Sequence, residues 1–404
     1  MKRKIKHQVS AIVIVCLLII CVTGCWSSRE IEELGLTFGI AIDKGKETKT
    51  ERDFKEEGGS YPKEDNMTLT YQFVNEKAAG AGTNGGGGGG QGAQKAYINA
   101  SETGDSLQQI GSEIALRRDR EVYSPHLKVV VMSQDVLRTY PIDKMLDQFF
   151  RDNEIRLSCL VLSAKGEARE ALQLKESGEI PAFRLVGLSE NEHKVSRILP
   201  PVTLAKLIGK LHSGSSFLLQ NVVAANGAIK YSGAAVMSGK SKKMIGTLNE
   251  YETEGITWIT GEGKGGVVKS HDKKSRQVMV YDINKIKSKI HPIVKGTDIS
   301  FHVDIESEGG VVENWNTKET LDTQFIKRIE TNTEKEIKKI VGNVIEKIQH
   351  EYKADVAGFD ESLRLEHPHL WKKMKNNWDD TFSKAGITYS VNATITHYGT
   401  VKIQ

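Results

Sequence analysis

Twelve apolar residues in a row, Ala11 to Val22, set the first limit on what this chain can become. A helix needs about 20 such residues to cross a bilayer core, so this run is too short to span one. The residues before it, Met1-Lys2-Arg3-Lys4-Ile5-Lys6, are basic, and small residues come after it in Val22-Thr23-Gly24-Cys25. A basic start, a short apolar centre and a small-residue end are the parts of a secretory leader. The sequence therefore predicts a leader over residues 1–24, removed on export. The plainer alternative is an ordinary signal peptide or short anchor with an incidental cysteine.

Val22-Thr23-Gly24-Cys25 resembles the bacterial lipobox, in which the cysteine thiol receives diacylglycerol and becomes the new N-terminus. Cys25 is thus the candidate lipidation residue, and acyl chains, palmitate among them, would hold the protein to a membrane. One chain is marginal for such anchoring and two suffice. Removing the leader leaves 380 of the 404 residues, enough for about two or three domains. Lys2, Arg3, Lys4 and Lys6 account for the whole formal charge of +4, so the mature chain is near neutral. Its overall charge therefore points to neither nucleic acid nor an anionic surface. Of the four cysteines, Cys16 and Cys21 leave with the leader and Cys25 is taken by lipid, so only Cys159 remains. Neither an internal disulfide nor a cysteine-based zinc site can be built from it. Its setting, Leu157-Ser158-Cys159-Leu160-Val161-Leu162, reads as a buried strand with an inert core thiol.

Along the chain, Met67, Leu69, Tyr71 and Phe73 alternate with polar residues as in a half-buried strand. From Gly80 to Gly92, nine of thirteen residues are glycine. That stretch predicts a surface loop, because ordering it costs too much backbone entropy and it brings no side chains to a core. Leu107, Ile110, Ile114 and Ala115 recur at helical spacing with Asp105 near the start, and Val129-Val130-Val131-Met132 reads as a strand. Ile142 to Phe150 reads as a helix, Leu157–Leu162 as a strand, and Ala164 to Leu174 as another helix. This alternation implies helices packed on a mixed sheet. Pro200-Pro201 marks a boundary, with a short helix near Thr203–His212 and a strand-rich stretch after it. Ile299, Phe301, Val303 and Ile305 alternate as in a strand with one wet face. A long helix from about Leu321 carries the stripe Ile337, Ile340, Val341, Val344, Ile345, Ile348 and Tyr352, with Glu334 and Lys338 placed to pair. A second helix carries Leu370, Trp371, Met374 and Trp378; this face reads as core, with partner docking as the alternative. The chain ends on an alternating strand, Ile387 to His397.

Candidate chemistry is sparse. Gly261-Glu262-Gly263-Lys264-Gly265-Gly266 matches GxGxxG, and Ile256–Thr260 before it could be a strand. A dinucleotide fingerprint, however, must open a helix. Val267-Val268-Lys269-Ser270-His271-Asp272 instead reads as strand and turn, so a hairpin turn is expected. His367-Pro368-His369 brings two imidazoles close, short of the three or four ligands a metal needs, and Pro368 suits the first turn of a helix. Neither a hydrolase elbow nor a zinc-protease motif is present, and no catalytic, cofactor or metal residue is assigned.

Several of these segments resemble the Ger(x)C family, the lipoprotein C subunits of nutrient germinant receptors in spore-forming bacteria. The resemblance begins at Cys25-Trp26-Ser27-Ser28-Arg29-Glu30-Ile31-Glu32 and Gly39-Ile40-Ala41-Ile42-Asp43-Lys44. It continues through Tyr123–Val129, around His126, and through Phe149–Arg156. It returns at Gly233-Ala234-Ala235-Val236, Ile245-Gly246 and Tyr251–Ile256, then at Ala354-Asp355-Val356-Ala357-Gly358-Phe359, Trp371–Lys375 and Trp378. Matches span nearly the whole mature chain in one order, and the glycine run resembles an insertion, which costs only about 0.6 kcal/mol per doubling of loop length. The resemblance implies an α+β, multidomain fold, mixed sheets flanked by helices, with three domains at 25–200, 201–298 and 299–404. It also implies a non-enzymatic subunit on the outer face of the membrane that becomes the spore inner membrane. There it would assemble with integral-membrane A and B subunits to trigger germination by nutrients, without nucleic acid, cofactor or metal. Only Cys25 carries over as a functional residue; His126 reads as part of a buried hydrogen-bond network. The competing readings are a solute-binding lipoprotein of an importer and a cell-wall hydrolase.

Overall fold

The computed structural model describes residues 33–54, 66–76, 78, 94–176, 178–296, 298–315 and 322–398. The leader, Cys25 and the glycine run 80–92 lie outside them.

Nine strands build the first sheet. β1 (Leu34–Lys44), β2 (Met67–Val74) and β3 (Tyr97–Gly104) pair antiparallel, and β4 (Glu121–Tyr123) lies parallel to the start of β1. On its other edge β1 pairs parallel with β5 (Val129–Ser133), and β6 (Leu160–Lys165) and β7 (Phe217–Ala225) extend the sheet in parallel. β8 (Ala228–Met237) and β9 (Met244–Leu248) then close the sheet antiparallel. The parallel centre is covered on both faces, which is why β5 is a continuous apolar run. Val130 and Met132 enter one core, with α1 (Leu107–Ala115) and Phe149; Val129 and Val131 enter the other, with Leu172, Ala182 and Leu185.

The second sheet has the order β10 (Val267–His271), β11 (Val278–Lys295), β12 (Asp298–Asn314) and β13 (Gly386–Tyr398), with β13 parallel to β12. Ile299, Phe301, Val303 and Ile305 are buried while Asp304 and Glu306 face solvent, as the alternation predicts. The fold is therefore α+β and multidomain, with mixed sheets flanked by helices.

Local chemistry explains most element ends. Ser106, not Asp105, caps α1. Thr203 caps the helix after the prolines, α4 (Leu204–Ser213), whose start hydrogen-bonds to the segment at Cys159 that leads into β6. Four expectations need correction. Ile142–Phe150 forms two short helices, α2 (Ile142–Met145) and α3 (Asp147–Arg151). β6 extends to Lys165, so the helix expected from Ala164 shrinks to a 3-10 turn over Ala168–Leu172. The run Leu370–Trp378, expected as one helix, is split between α8 (Pro368–Met374), which Pro368 starts, and α9 (Trp378–Lys384), and a further helix, α7 (Phe359–Glu366), precedes them. Finally, Ile256–Thr260 is not a strand but the end of α5 (Glu250–Thr260).

α5 owes its start to a reciprocal cap. Asn249 accepts from the Glu252 amide at 2.9 Å, and Glu252 accepts from the Asn249 amide at 2.7 Å. Gly261 ends it in the left-handed region at φ 70°, so the GxGxxG segment is a helix stop leading into β10 rather than a hairpin. Residues Thr253 to Ile259 are all buried, because α5 lies between the two sheets. One apolar cluster joins Leu218, Val236 and Leu248 of the first sheet to Ile256 and Trp258 of α5. It continues to Phe301 and Val303 of the second sheet, and to Val341 and Val344 of α6 (Thr323–Glu346). The helices α5 and α6 cross at Gly255, where a Cβ would come within 2.6 Å of a Val344 methyl. Nearby, a Cβ at Gly246 would overlap the Tyr352 ring, whose hydroxyl donates to the Thr247 carbonyl at 2.7 Å. Gly246→Ala should displace Tyr352 and lower the unfolding free energy by about 1–3 kcal/mol. Gly209→Ala, in open space on α4, should raise it by up to about 1 kcal/mol; denaturant titration of both variants checks the contrast.

Candidate functional site

Asp355 organises the C-terminal part of the second core. It is buried, and five N–H groups converge on it. Its Oδ1 accepts from the amides of Ala357, Gly358 and Phe359 at 3.1, 3.0 and 3.2 Å. Its Oδ2 accepts from the Asp360 amide at 2.6 Å and from Trp378 Nε1 at 3.0 Å. Gly358, at φ 87°, lets the chain curl around the carboxyl group and start α7. Burial, reinforced by the neighbouring Asp360 carboxylate, pushes the Asp355 pKa up to about 7, against the pull of the donors. Trp378, held by this bond, packs edge-on against Phe301 and Trp371 at ring separations of 6.2 and 5.2 Å. The Trp371/Trp378 face is thus core: Trp378 is buried, and Trp371 and Met374 pack on the same cluster.

Beside this nest a cleft of about 690 Å³ opens between α4, α5 and α7. Leu199, Leu218, Ile256 and Trp371 give it apolar walls, and Lys206, Lys210, Glu262 and Asp360 give it polar ones. Ser215 Oγ donates to Asp360 Oδ2 at 2.5 Å, joining the lead into β7 to the start of α7 across it. About half of the lining is polar, so the cleft has room for a small solute but not the mainly apolar walls typical of a buried ligand site. Its residues come from distant parts of the chain, and no local spacing in the sequence signals them.

The other singled-out residues serve structure. Cys159 is buried and free, and burial pushes its thiol up, so no reactive thiolate forms there. His126 is half-buried between the rings of Phe38 and Tyr123, 6.5 and 6.1 Å away, rather than inside a hydrogen-bond network. His367 and His369 flank the start of α8, and among the described residues no group of three or more His, Cys, Asp or Glu is arranged to hold a metal. Glu334 accepts from the Ala393 amide at 3.3 Å, and Glu330 from the Ile395 amide at 3.0 Å. These two carboxylates on α6 cover the open edge of β13, a role that helical spacing does not reveal. Among the described residues, no helix is long and apolar enough to cross a membrane.

The folded chain holds the Asp355 proton more tightly than an unfolded chain would, from an ordinary value of 3.8. This group therefore favours the fold in acid, and its contribution is lost as pH rises through about 4 to 7. Asp355→Asn should flatten that part of the stability–pH profile. Asp355→Ala, which leaves buried N–H donors unpaired, should cost about 3 kcal/mol or more at every pH. Denaturant titrations over the pH range measure both effects.

Comparison with known proteins bears on the whole chain. Residues 27–224 match the family described as spore germination protein N-terminal domain, and residues 232–399 match "Spore germination B3/ GerAC like, C-terminal". The two matches meet at the β7–β8 hairpin. Spore germination protein YndF of Bacillus subtilis (strain 168) is 85% identical over 404 residues, covering 100% of both chains. Spore germination protein A3 of the same organism is 30% identical, covering 96% of this chain and 98% of its own. The crystal structure of the GerBC protein superposes with a TM-score of 0.60 at 25% identity, over 82% of this chain and 94% of that one. The chain therefore belongs to the GerAC-like family of spore germination proteins.

Proposed function

We propose that this protein is a non-enzymatic subunit of a spore nutrient germinant receptor, tethered to the outer face of the membrane through a lipid on Cys25. It would assemble there with integral-membrane A and B subunits and take part in triggering germination. The carrying observation is that a whole-chain relationship to spore germination proteins coincides with a leader ending in Val-Thr-Gly-Cys. The described helices give no transmembrane span, so a lipid on Cys25 is the attachment the sequence offers. Of the residues that look chemical, Cys159 is buried, His126 packs beside the Tyr123 ring, and His367 and His369 stand at the start of α8 without a side-chain cap.

A second reading is favoured by the cleft between α4, α5 and α7: a solute-binding lipoprotein. It predicts tight nutrient binding by the isolated protein in calorimetry, whereas the receptor-subunit reading does not require it.

Cys25→Ala should move the protein out of the membrane fraction or lower its amount, and weaken nutrient-triggered germination, while vegetative growth stays normal. Fractionation of spores and the loss of optical density after nutrient addition measure both. Unchanged membrane attachment and germination would contradict the reading.

A further inference from the structure

Buried tyrosines in this fold hydrogen-bond through their hydroxyls, with one exception. Tyr97 donates to the Leu174 carbonyl at 3.3 Å, Tyr231 donates to the Leu185 carbonyl at 2.6 Å, and Tyr281 meets Ser307 Oγ at 3.0 Å. Tyr71 on β2 is only 6% exposed, yet its hydroxyl has no partner among the described residues. Burial alone pushes its pKa up to about 12, so the group stays a neutral hydroxyl. A buried hydroxyl without a partner is costly, and such groups in native structures need an explanation. Tyr71 lines a cleft of about 300 Å³ between α1, β4 and residues 148–155. Gly111 of α1 lines it too. A Cβ there would stand 3.6 Å from the Tyr71 hydroxyl and near nothing else, so the glycine leaves that hydroxyl open to the cleft.

The cleft sets an apolar floor against polar walls. Ile40, Leu107, Phe149 and Ile155 form the floor and are all buried. Ser112, Ser124, Gln108 and Gln148 stand around it, uncharged groups that both donate and accept. Gln148 Nε2 donates to Gln108 Oε1 at 2.6 Å, which joins α3 to α1 beside the cleft. Glu121 and Asp152 add acceptors, and Asp152 Oδ1 already accepts from the Glu154 amide at 2.8 Å. Among the described residues no Lys, Arg or His lines the cleft. The arginines on its flanks pair elsewhere: Arg117 with Glu102, Arg120 with Glu76 and Arg151 with Asp147. Ser124, Phe149, Asp152 and Ile155 come from two of the segments that carry the family resemblance, and neither segment lies at the α5 junction.

This inventory selects by chemistry. A carboxylate or phosphate would find no cation here and would face two acids. A protonated amine only donates, so the hydroxyl and amide N–H groups would go unmet. A purely hydrocarbon ligand would leave Tyr71 and the polar walls unpaired. A ligand hydroxyl donates and accepts at once, as the groups around it do, and the C–H face of a polyol matches the apolar floor. We propose that this cleft binds a small uncharged polyol, one of whose hydroxyls pairs with Tyr71. Its volume, about 300 Å³, is at the lower end for small-molecule sites and suits a single polyol ring. The site is separate from the cleft between α4, α5 and α7, and it does not depend on lipidation of Cys25.

The test is saturation-transfer NMR on the full-length protein in detergent, with myo-inositol as the neutral probe and putrescine and succinate as charged ones. Myo-inositol should bind with a dissociation constant on the order of a millimolar, and the charged probes far more weakly. Tyr71→Phe should weaken myo-inositol binding roughly two- to tenfold and leave the melting temperature unchanged, because the lost hydroxyl has no protein partner. Tyr231→Phe, which loses a bond to the Leu185 carbonyl, should lower the melting temperature and leave binding intact. Gly111→Ala places a methyl in ordinary contact with the Tyr71 hydroxyl; it should weaken binding while keeping or raising the melting temperature. No binding of myo-inositol, or binding that neither cleft variant changes, overturns the proposal. Tighter binding of putrescine or succinate overturns the ligand class. A melting temperature that falls as far in Tyr71→Phe as in Tyr231→Phe overturns it too, since the hydroxyl would then be held within the fold itself.

Discussion

A single buried helix, α5, holds the two sheets together, and the rest of the architecture depends on its fit. With Thr253 to Ile259 all inside, its polar groups must be satisfied by near neighbours. Thr257 Oγ1 donates to the Ser196 carbonyl at 2.7 Å, which pins the segment leading to Pro200. Ser288 Oγ on β11 donates to the Ile259 carbonyl at 2.7 Å, which pins the second sheet. Glu252 accepts twice from Lys347 at 3.0 Å, which fixes α5 against α6. Glu254 is buried beside Ser196 and Trp258, and burial pushes its carboxyl upward despite them. A helix contacting both sheets this closely leaves little room for either to move alone.

The later segments that carry the family resemblance, from Gly233 onward, gather at this junction, while Gly39–Lys44, Tyr123–Val129 and Phe149–Arg156 belong to the first sheet and its own cores. Gly233 sits against the Leu248 carbonyl, Gly246 against Tyr352 and Gly255 against Val344; Asp355 and Trp378 complete the core next to them. Their chemistry is structural: close approach at the glycines, and convergent N–H donors at the aspartate.

Periodicity makes the alternating strands and the long helix α6 legible, since each exposes one face and buries the other. α5 escapes it because a helix buried all round has no polar face, and Ile256–Thr260 alone is indistinguishable from a short apolar strand. The amphipathic run after His367 gives the right residues but not the break between α8 and α9, where a 3-10 turn at Lys375–Asn377 redirects the chain to place Trp378 over Asp355. The cleft and the glutamate cover on β13 are invisible for a different reason: both join residues far apart in sequence. Cys25, the one functional residue proposed from the sequence, rests on local pattern alone, a basic start, a short apolar run and Val-Thr-Gly-Cys, and on no element of the fold.

A rigid two-sheet body held to a membrane by a lipid on its first mature residue is the central claim. Mass spectrometry of the N-terminal peptide from protein extracted from spore membranes tests this most directly. The account predicts a peptide beginning at Cys25 and carrying a diacylglycerol-sized increment; an unmodified Cys25, or an N-terminus elsewhere, would contradict it.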